Sequence, residues 1–453
     1  FSLALGFSDM EHLTVAESLQ TIAAQAVALA RRQGADQAEV GASYEEGLSV
    51  TVRMGELESV ERQRDRGLAI TVYRDKRKGS ASTTDFSPAS VEDTVRKALS
   101  IGSFTTADEY AGLADAELMA GELKSLDLYF PWEVDVDQAA DLALRGENAA
   151  RSLDGRIANS EGASVSSGVG QRVYANSHGF VGAYPTSTHS MSCSVLAKAD
   201  DSLERDYWYT VSRHPDDLES PEKVGEEAAR RALQRLNART LSTRKVPVIY
   251  PAELAKGLFG HLIAAVRGTA QYRRASFLLD SVGKQVLPSF IDIDEDPWIP
   301  RALASAPFDA EGVATRKRRL VSRGVLEGYV LSSYSARRLG LATTGNAGGI
   351  HNLLVKPTAG PLEALIKDCN EAFVVGELLG QGVNTVTGDY SRGAAGFWVE
   401  RGEIVHPVHE VTIAGNLKDL FREIQAVGSD VDARGTVRCG AVRVDGLTLA
   451  GGG

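Results

Sequence analysis

Eight histidines and three cysteines are the side chains of this chain best suited to bind a transition metal or to act as nucleophiles. A catalytic zinc needs two or three His, Cys or carboxylate ligands converging at about 2 Å, with one position left open. No H-E-x-x-H occurs. His406-Pro407-Val408-His409 has chelating spacing, but Pro407 and the flanking Ile404, Val405, Val411 and Ile413 indicate a strand. Residues three apart on a strand face opposite ways, so a strand pair is the better reading. His261 lies among Leu258, Phe259, Leu262 and Ile263, where a lone imidazole reads as a core or interface residue. Cys439, in Arg438-Cys439-Gly440, reads as a structural thiol beside a turn. Asp389–Gly393 (DYSRG) is the densest polar cluster with catalytic residue types. Ser391 lacks a base nearby in sequence, and Ser and Arg in a Gly-bounded turn ordinarily stabilise a loop.

Other signatures are excluded directly. Gly283-Lys284 is not a phosphate loop, because Leu278 occupies the position where the motif needs glycine. There is no G-x-S-x-G nucleophile elbow. Gly376–Gly382 (GELLGQG) lacks the strand, glycine and helix order of a nucleotide site and reads as a turn. The residues therefore form no complete catalytic constellation.

The elements that would position these side chains fall into two groups. A helix is expected from a capping box at Thr14-Val15-Ala16-Glu17 up to Gly34, with Leu19, Ile22, Ala26 and Leu29 on one face. Alternating stretches at 38–44, 48–54, 57–62 and 68–73, with a turn at Gly55-Glu56, predict an antiparallel sheet with one wet face. Ser87-Pro88 opens a second helix, a third spans about 137–153, and Ser220-Pro221-Glu222 starts a fourth running to about Asn237. Strands are expected at 165–169, 172–176, 181–184, 190–198 and 206–211. The polar and basic segment Ala238–Lys245 marks a boundary, giving an N-terminal α+β domain at 1–240 and a mostly antiparallel, β-rich C-terminal domain at 241–453. Two helices, at about 251–267 and 361–367, interrupt the short strands and Gly turns of the second domain.

Composition sets further bounds. A chain of 453 residues exceeds what one core usually organises. A formal charge of −11 argues against nucleic-acid binding, and the basic run Arg316–Arg319 reads as a solvated strand or turn. Three cysteines with no CxxC pair suggest reduced thiols and a cytoplasmic location. Neither a signal peptide nor a membrane span is expected, and Met10 is the expected natural start.

Longer words in the C-terminal half carry a family resemblance. They are Gly257–Leu262 (GLFGHL), Phe277–Ser281 (FLLDS) with Gly283-Lys284-Gln285, Leu331–Arg337 (LSSYSAR) and Gly345–Asn352 (GNAGGIHN). Gly380–Gly382 (GQG) leads to Thr387–Trp398 (TGDYSRGAAGFW), followed by Glu410–Asn416 (EVTIAGN) and Arg438–Gly440 (RCG). In combination this stretch resembles the TldD/PmbA family, and within it the branch lacking the zinc motif. The TldD branch carries H-E-x-x-x-H on the first helix of this domain and a later cysteine as a further ligand. Aligned to that motif, Phe259 and Ala264 replace the histidines, Gly260 replaces the glutamate, and Cys439 matches the cysteine.

The resemblance thus implies no catalytic residue, metal or cofactor in this chain, with zinc expected in a TldD-type partner subunit. It implies a non-catalytic subunit of a cytosolic metallopeptidase acting on extended peptides, such as peptide-antibiotic leaders or an antitoxin. The chain would be a homodimer when alone. His261, Asn346, His351, Asp389, Arg392 and Cys439 are the candidate cleft or interface residues. The alternatives are a regulator contacting DNA gyrase as a protein, and an autonomous peptidase using Ser391 or Cys439.

Overall fold

The computed structural model describes residues 7–451, with side chains from residue 17 onward. Residues 1–6 and the Thr14 capping hydroxyl lie outside the described residues. The N-terminal part comprises α1 (Phe7–Arg32), β1 (Gln37–Arg53), β2 (Glu56–Arg74), β3 (Arg77–Thr83), α2 (Pro88–Phe104), α3 (Val136–Leu153), β4 (Ile157–Asn176), β5 (Val181–Ala199), β6 (Ser202–Ser212) and α4 (Pro221–Gln234). Its strands form one antiparallel sheet in the order β3-β2-β1-β4-β5-β6.

Alternation along β1 explains how this sheet is covered. Ala38, Val40, Ala42, Val50 and Val52 are all buried on one face. Helices α1 and α2 pack over one end, joining Leu19, Ala26 and Val95 to Val40, Leu68 and Ile70. Helices α3 and α4 pack over the other, joining Ala139, Ala143 and Ala228 to Val50, Met191 and Val195. The two helices of the second pair approach so closely that a Cβ on Gly225 would collide with the Gly146 carbonyl.

The caps at Ser87 and Ser220 occur as expected, each side chain accepting from a backbone N–H three residues on. The expected short strands instead merge into long ones: β1 is continuous through 44–48, and β4 through 157–176. The interruptions read from the sequence are the Gly and polar residues at 45–47 and 170–171. They break the apolar alternation without breaking the ladder. The first hairpin turns at Met54-Gly55, one residue earlier than expected, and both residues have positive φ (52° and 86°). That pair of conformations matches the twist of the flanking strands.

The C-terminal part comprises β7 (Arg244–Tyr250), α5 (Ala252–Val266), α6 (Gly268–Tyr272), β8 (Ile293–Glu295), β9 (Arg318–Ser322), β10 (Val325–Leu326), α7 (Ser333–Leu339), β11 (Leu353–Val355), α8 (Leu362–Lys367), β12 (Glu371–Leu379), β13 (Asp389–Glu400), β14 (Glu403–Asn416), α9 (Leu417–Arg422), β15 (Ile424–Val427), β16 (Val437–Arg438) and β17 (Val442–Gly451). Strands β7, β12, β13, β14 and β17 close on themselves, because β14 pairs with both β13 and β17. The core within and beside this ring joins Val248, Phe373, Trp398 and Ile413 to Phe259 and Leu262 of α5. A second, five-stranded sheet has the order β10-β9-β8-β11-β16. The Arg316–Arg319 run is not wholly solvated, since the half-buried Arg318 on β9 pairs with the buried Glu295, 2.7 Å away.

The two parts are joined by arginines that reach across. Arg337 on α7 donates to the carbonyls of Tyr110, Gly112 and Leu113. Arg231 on α4 and Arg235 just past its end pair with Glu253 and Glu377 at 2.8 and 2.5 Å. Among the described residues, no helix is long and apolar enough to cross a membrane.

Candidate functional site

The helix on which the family resemblance places the zinc motif of the TldD branch is α5. Ala255, Leu258, Phe259, Leu262 and Val266 repeat at helical spacing and are buried. The opposite face carries Gly257, Gly260 and His261, and a Cβ on either glycine would meet nothing within 4 Å. Space is therefore available above Gly260, but no carboxylate is present to use it. Phe259 points into the core and is 0% exposed.

His261 is half-buried, its ring 6.2 Å from that of Tyr390 and nearly perpendicular to it. Burial and the nearby charge of Arg392 both lower the affinity of this imidazole for a proton. The Arg392 Nε donates to the Leu379 carbonyl at 3.1 Å. The expected core or interface role of His261 thus takes the form of an aromatic contact at the barrel wall.

Cys439 is fully buried beneath the start of α5, with Sγ 3.9 Å from the Ala252 carbonyl oxygen. Burial pushes its thiol up to about 12, well above a free cysteine, so the sulfur carries its proton at neutral pH. Asp389 opens β13 at the surface, where its carboxylate accepts from the Thr387 hydroxyl at 2.6 Å. It stabilises the turn leading into that strand.

Asn346 and His351 meet elsewhere, on a carboxylate that sequence reasoning missed. Glu295 Oε1 accepts from Asn346 Nδ2 at 2.7 Å and from the His351 backbone N–H at 2.6 Å, while Oε2 accepts from Arg318. This hub shapes the Gly345–Asn352 loop, which forms one wall of a cavity of about 780 Å³. The opposite wall is the open face of the N-terminal sheet, including Gly41, Ser43, Gly168, Gly170 and Tyr174. Small residues on that face leave the cavity room.

Arg213 joins the two walls. Its guanidinium donates to the Ser187 carbonyl at 2.7 Å, the Thr188 hydroxyl at 3.0 Å and the Leu303 carbonyl at 2.6 Å. Among the described residues its Nε has no partner, and neither does Nε2 of His351, whose Nδ1 lies 3.3 Å from the Ala304 carbonyl. That contact favours the proton on Nδ1, which makes Nε2 an acceptor. The cavity walls thus contain one buried donor and one buried acceptor left unused by the protein.

Asp309 also lines the cavity and was not singled out by sequence. Burial raises its carboxyl to about 7 despite hydrogen bonds from the backbone N–H groups of Ala347, Glu311 and Val313. The six sequence-predicted residues therefore do not form one site: His261 and Arg392 are neighbours, Asn346 and His351 share Glu295, and Asp389 and Cys439 stand apart. Among the described residues, no group of three or more His, Cys, Asp or Glu could hold a metal ion. The donors around α5 do not fit the zinc that the resemblance leads one to expect there in the TldD branch.

A closed β-ring with a helix at its wall, facing a large sheet across a cavity, defines the class. Residues 38–102, 129–236 and 243–451 match domain 1, the central domain and the C-terminal domain of the PmbA/TldA metallopeptidases. The chain belongs to the PmbA/TldD family. It is 50% identical over 416 residues to Metalloprotease PmbA of Escherichia coli O157:H7, covering 92% of each chain. It is 47% identical over 436 residues to the Metalloprotease PmbA homolog of Haemophilus influenzae, covering 96% of each. A crystal structure from Bacteroides thetaiotaomicron, bearing the name of a proposed modulator of DNA gyrase, superposes with a TM-score of 0.91 at 25% identity, covering 95% of this chain and 98% of that one. TldE from Thermococcus kodakarensis shares the fold, with a TM-score of 0.83 at 21% identity over 94% of this chain and 99% of that one.

Proposed function

We propose that this chain is the zinc-free subunit of a two-chain metallopeptidase, in which it walls a peptide-holding chamber and a TldD-type subunit performs the hydrolysis. The observation that carries this reading is the donor set at α5. The face that would present a general base and a ligand carries Gly260 and Ala264, Phe259 is packed in the core, and the Cys439 thiol is protonated. Chemistry that requires a thiolate, two imidazoles and a carboxylate has only an unsuited remnant here.

The cavity supports the peptide part of the reading. An extended peptide offers a carbonyl and an N–H at every residue, which suits the polar side chains lining the cavity, among them Ser43, Glu45 and Thr186. The expected substrates are unfolded segments, including peptide-antibiotic leaders and an antitoxin, in the cytoplasm. With a formal charge of −11, nucleic acid is not an expected partner.

Metal analysis and a peptidase assay of the purified chain, alone and mixed with a TldD-type subunit, test this proposal. The expected result is no stoichiometric zinc and no cleavage alone, with cleavage on mixing. Robust zinc-dependent cleavage by this chain alone would overturn it. An autonomous cysteine mechanism is disfavoured by the buried, protonated Cys439, and Cys439→Ala should leave any activity of the mixture intact.

A further inference from the structure

A second cavity, of about 650 Å³, lies where the N-terminal sheet meets the start of α5. Trp208 and Thr210 of β6 line one side and Ala252 and Glu253 of α5 another, with Arg438 of β16 beside them. Most of the charged groups around it are engaged. Asp217 pairs with Arg301 at 3.5 Å and Glu253 with Arg231 at 2.8 Å. Glu219 pairs with Lys223 at 3.0 Å and accepts from the Trp208 indole at 2.9 Å. Asp430 accepts from the Ala441 backbone N–H at 3.2 Å. Arg434 lies over the Trp208 ring, 4.2 Å from its centroid, and donates to the Tyr209 carbonyl at 2.7 Å.

Arg438 is the exception. It is half-buried, and burial works against its charge. Among the described residues its guanidinium has neither a hydrogen-bond acceptor nor an ion-pair partner. The acid whose charge reaches it is Asp432, and that carboxylate is already full. Its Oδ1 accepts from the Arg434 backbone N–H at 2.8 Å and from Arg434 Nε at 3.0 Å. Its Oδ2 accepts from Lys256 Nζ at 2.7 Å and from Arg434 Nη2 at 3.1 Å. A carboxylate has about four acceptor sites, so none is left for Arg438. Arg213, whose charge burial also opposes, holds three acceptors. A half-buried guanidinium without an anion is costly to keep, and its planar fork fits a carboxylate through two parallel N–H···O bonds. The N-terminus of α5, which has no side-chain cap, opens on the same cavity and adds positive potential.

We infer that Arg438 receives a carboxylate of an extended peptide, held in the cavity between β6 and the start of α5. That the carboxylate belongs to a peptide rests on the chamber reading; its source is the peptide's C-terminus or an Asp or Glu side chain. Calorimetric titration of the full chain with three synthetic peptides of one sequence separates these sources. One has a free C-terminus and no acidic residue, one is amidated with a central glutamate, and one is amidated without it. The last reports binding that needs no carboxylate. At least one of the other two should bind at least about tenfold more tightly, and which one does so identifies the source. Arg438→Met should erase that advantage while the melting temperature holds or rises, because no internal partner is lost. Arg438→Lys should keep part of the advantage, as a point charge without the fork. Equal binding of the three peptides, binding of none, or an advantage that survives Arg438→Met would overturn the inference. So would a lowered melting temperature in Arg438→Met, or inorganic phosphate binding as tightly as the peptides. An intact carboxylate advantage without cleavage on mixing with a TldD-type subunit would count against the chamber reading and leave the Arg438 site standing.

Discussion

Arg213→Ala should separate the two walls of the cavity. The Arg213 side chain is 8% exposed, and its bonds go to two main-chain carbonyls and one hydroxyl. Burial lowers its pKa, with Arg172 adding to the effect, so the cation is held at a cost. Each hydrogen bond from a charged donor contributes about 1.5–3 kcal/mol. Desolvating the cation offsets several kcal/mol of that, leaving an expected net loss of about 3 kcal/mol on truncation to alanine. Arg213→Met removes the charge together with the bonds and keeps most of the bulk, so it should lose less, about 1–2 kcal/mol. Urea unfolding followed by tryptophan fluorescence gives the stability change. Hydrogen exchange at Ser187, Thr188 and Leu303 reports whether the walls come apart locally. An Arg213→Ala protein within about 1 kcal/mol of the parent, with unchanged exchange at these amides, would refute the wall-joining role; so would a methionine variant weaker than the alanine one.

Two further outcomes follow from buried carboxylates. Glu147 on α3 is 0% exposed and accepts from the N–H groups of Met54 and Gly55, both at 2.7 Å. Glu147→Ala strands both donors at the hairpin turn and should cost about 3 kcal/mol, with faster exchange confined to the tip of β1 and β2; unchanged stability would remove the anchoring role. Asp309 binds its proton more tightly folded (about 7) than unfolded (near 3.8), so its contribution is fully present below the unfolded value and is lost as pH rises through about 7. Stability should therefore fall by about 2.5 kcal/mol between roughly pH 5 and pH 8. Asp309→Asn should flatten that slope while lowering the baseline, because its amide cannot accept from Ala347. A parent whose stability is flat or rises over this range would contradict the assignment.

Local chemistry was legible in the sequence wherever a few neighbouring residues decide the structure. The caps at Ser87-Pro88 and Ser220-Pro221 satisfy amides within one turn, so they were readable without knowing the fold. The α5 stripe and the strand character of His406–His409 followed from periodicity in the same way. The words that resemble the PmbA/TldD family were likewise present in the residues alone.

What only the tertiary structure decided are features whose partners lie far apart along the chain. Strand β1 was broken up in the reading at Glu45-Glu46-Gly47, yet these residues belong to a continuous ladder paired with β4 more than a hundred residues away. Glu295 is an ordinary acidic residue in sequence and becomes a hub only when Arg318, Asn346 and His351 are brought to it. The burial that raises the Asp309 carboxyl and the Cys439 thiol is a property of surrounding atoms, not of neighbouring letters. The residues by themselves carried the family membership. Long-range packing determined that a cavity exists and which groups face it.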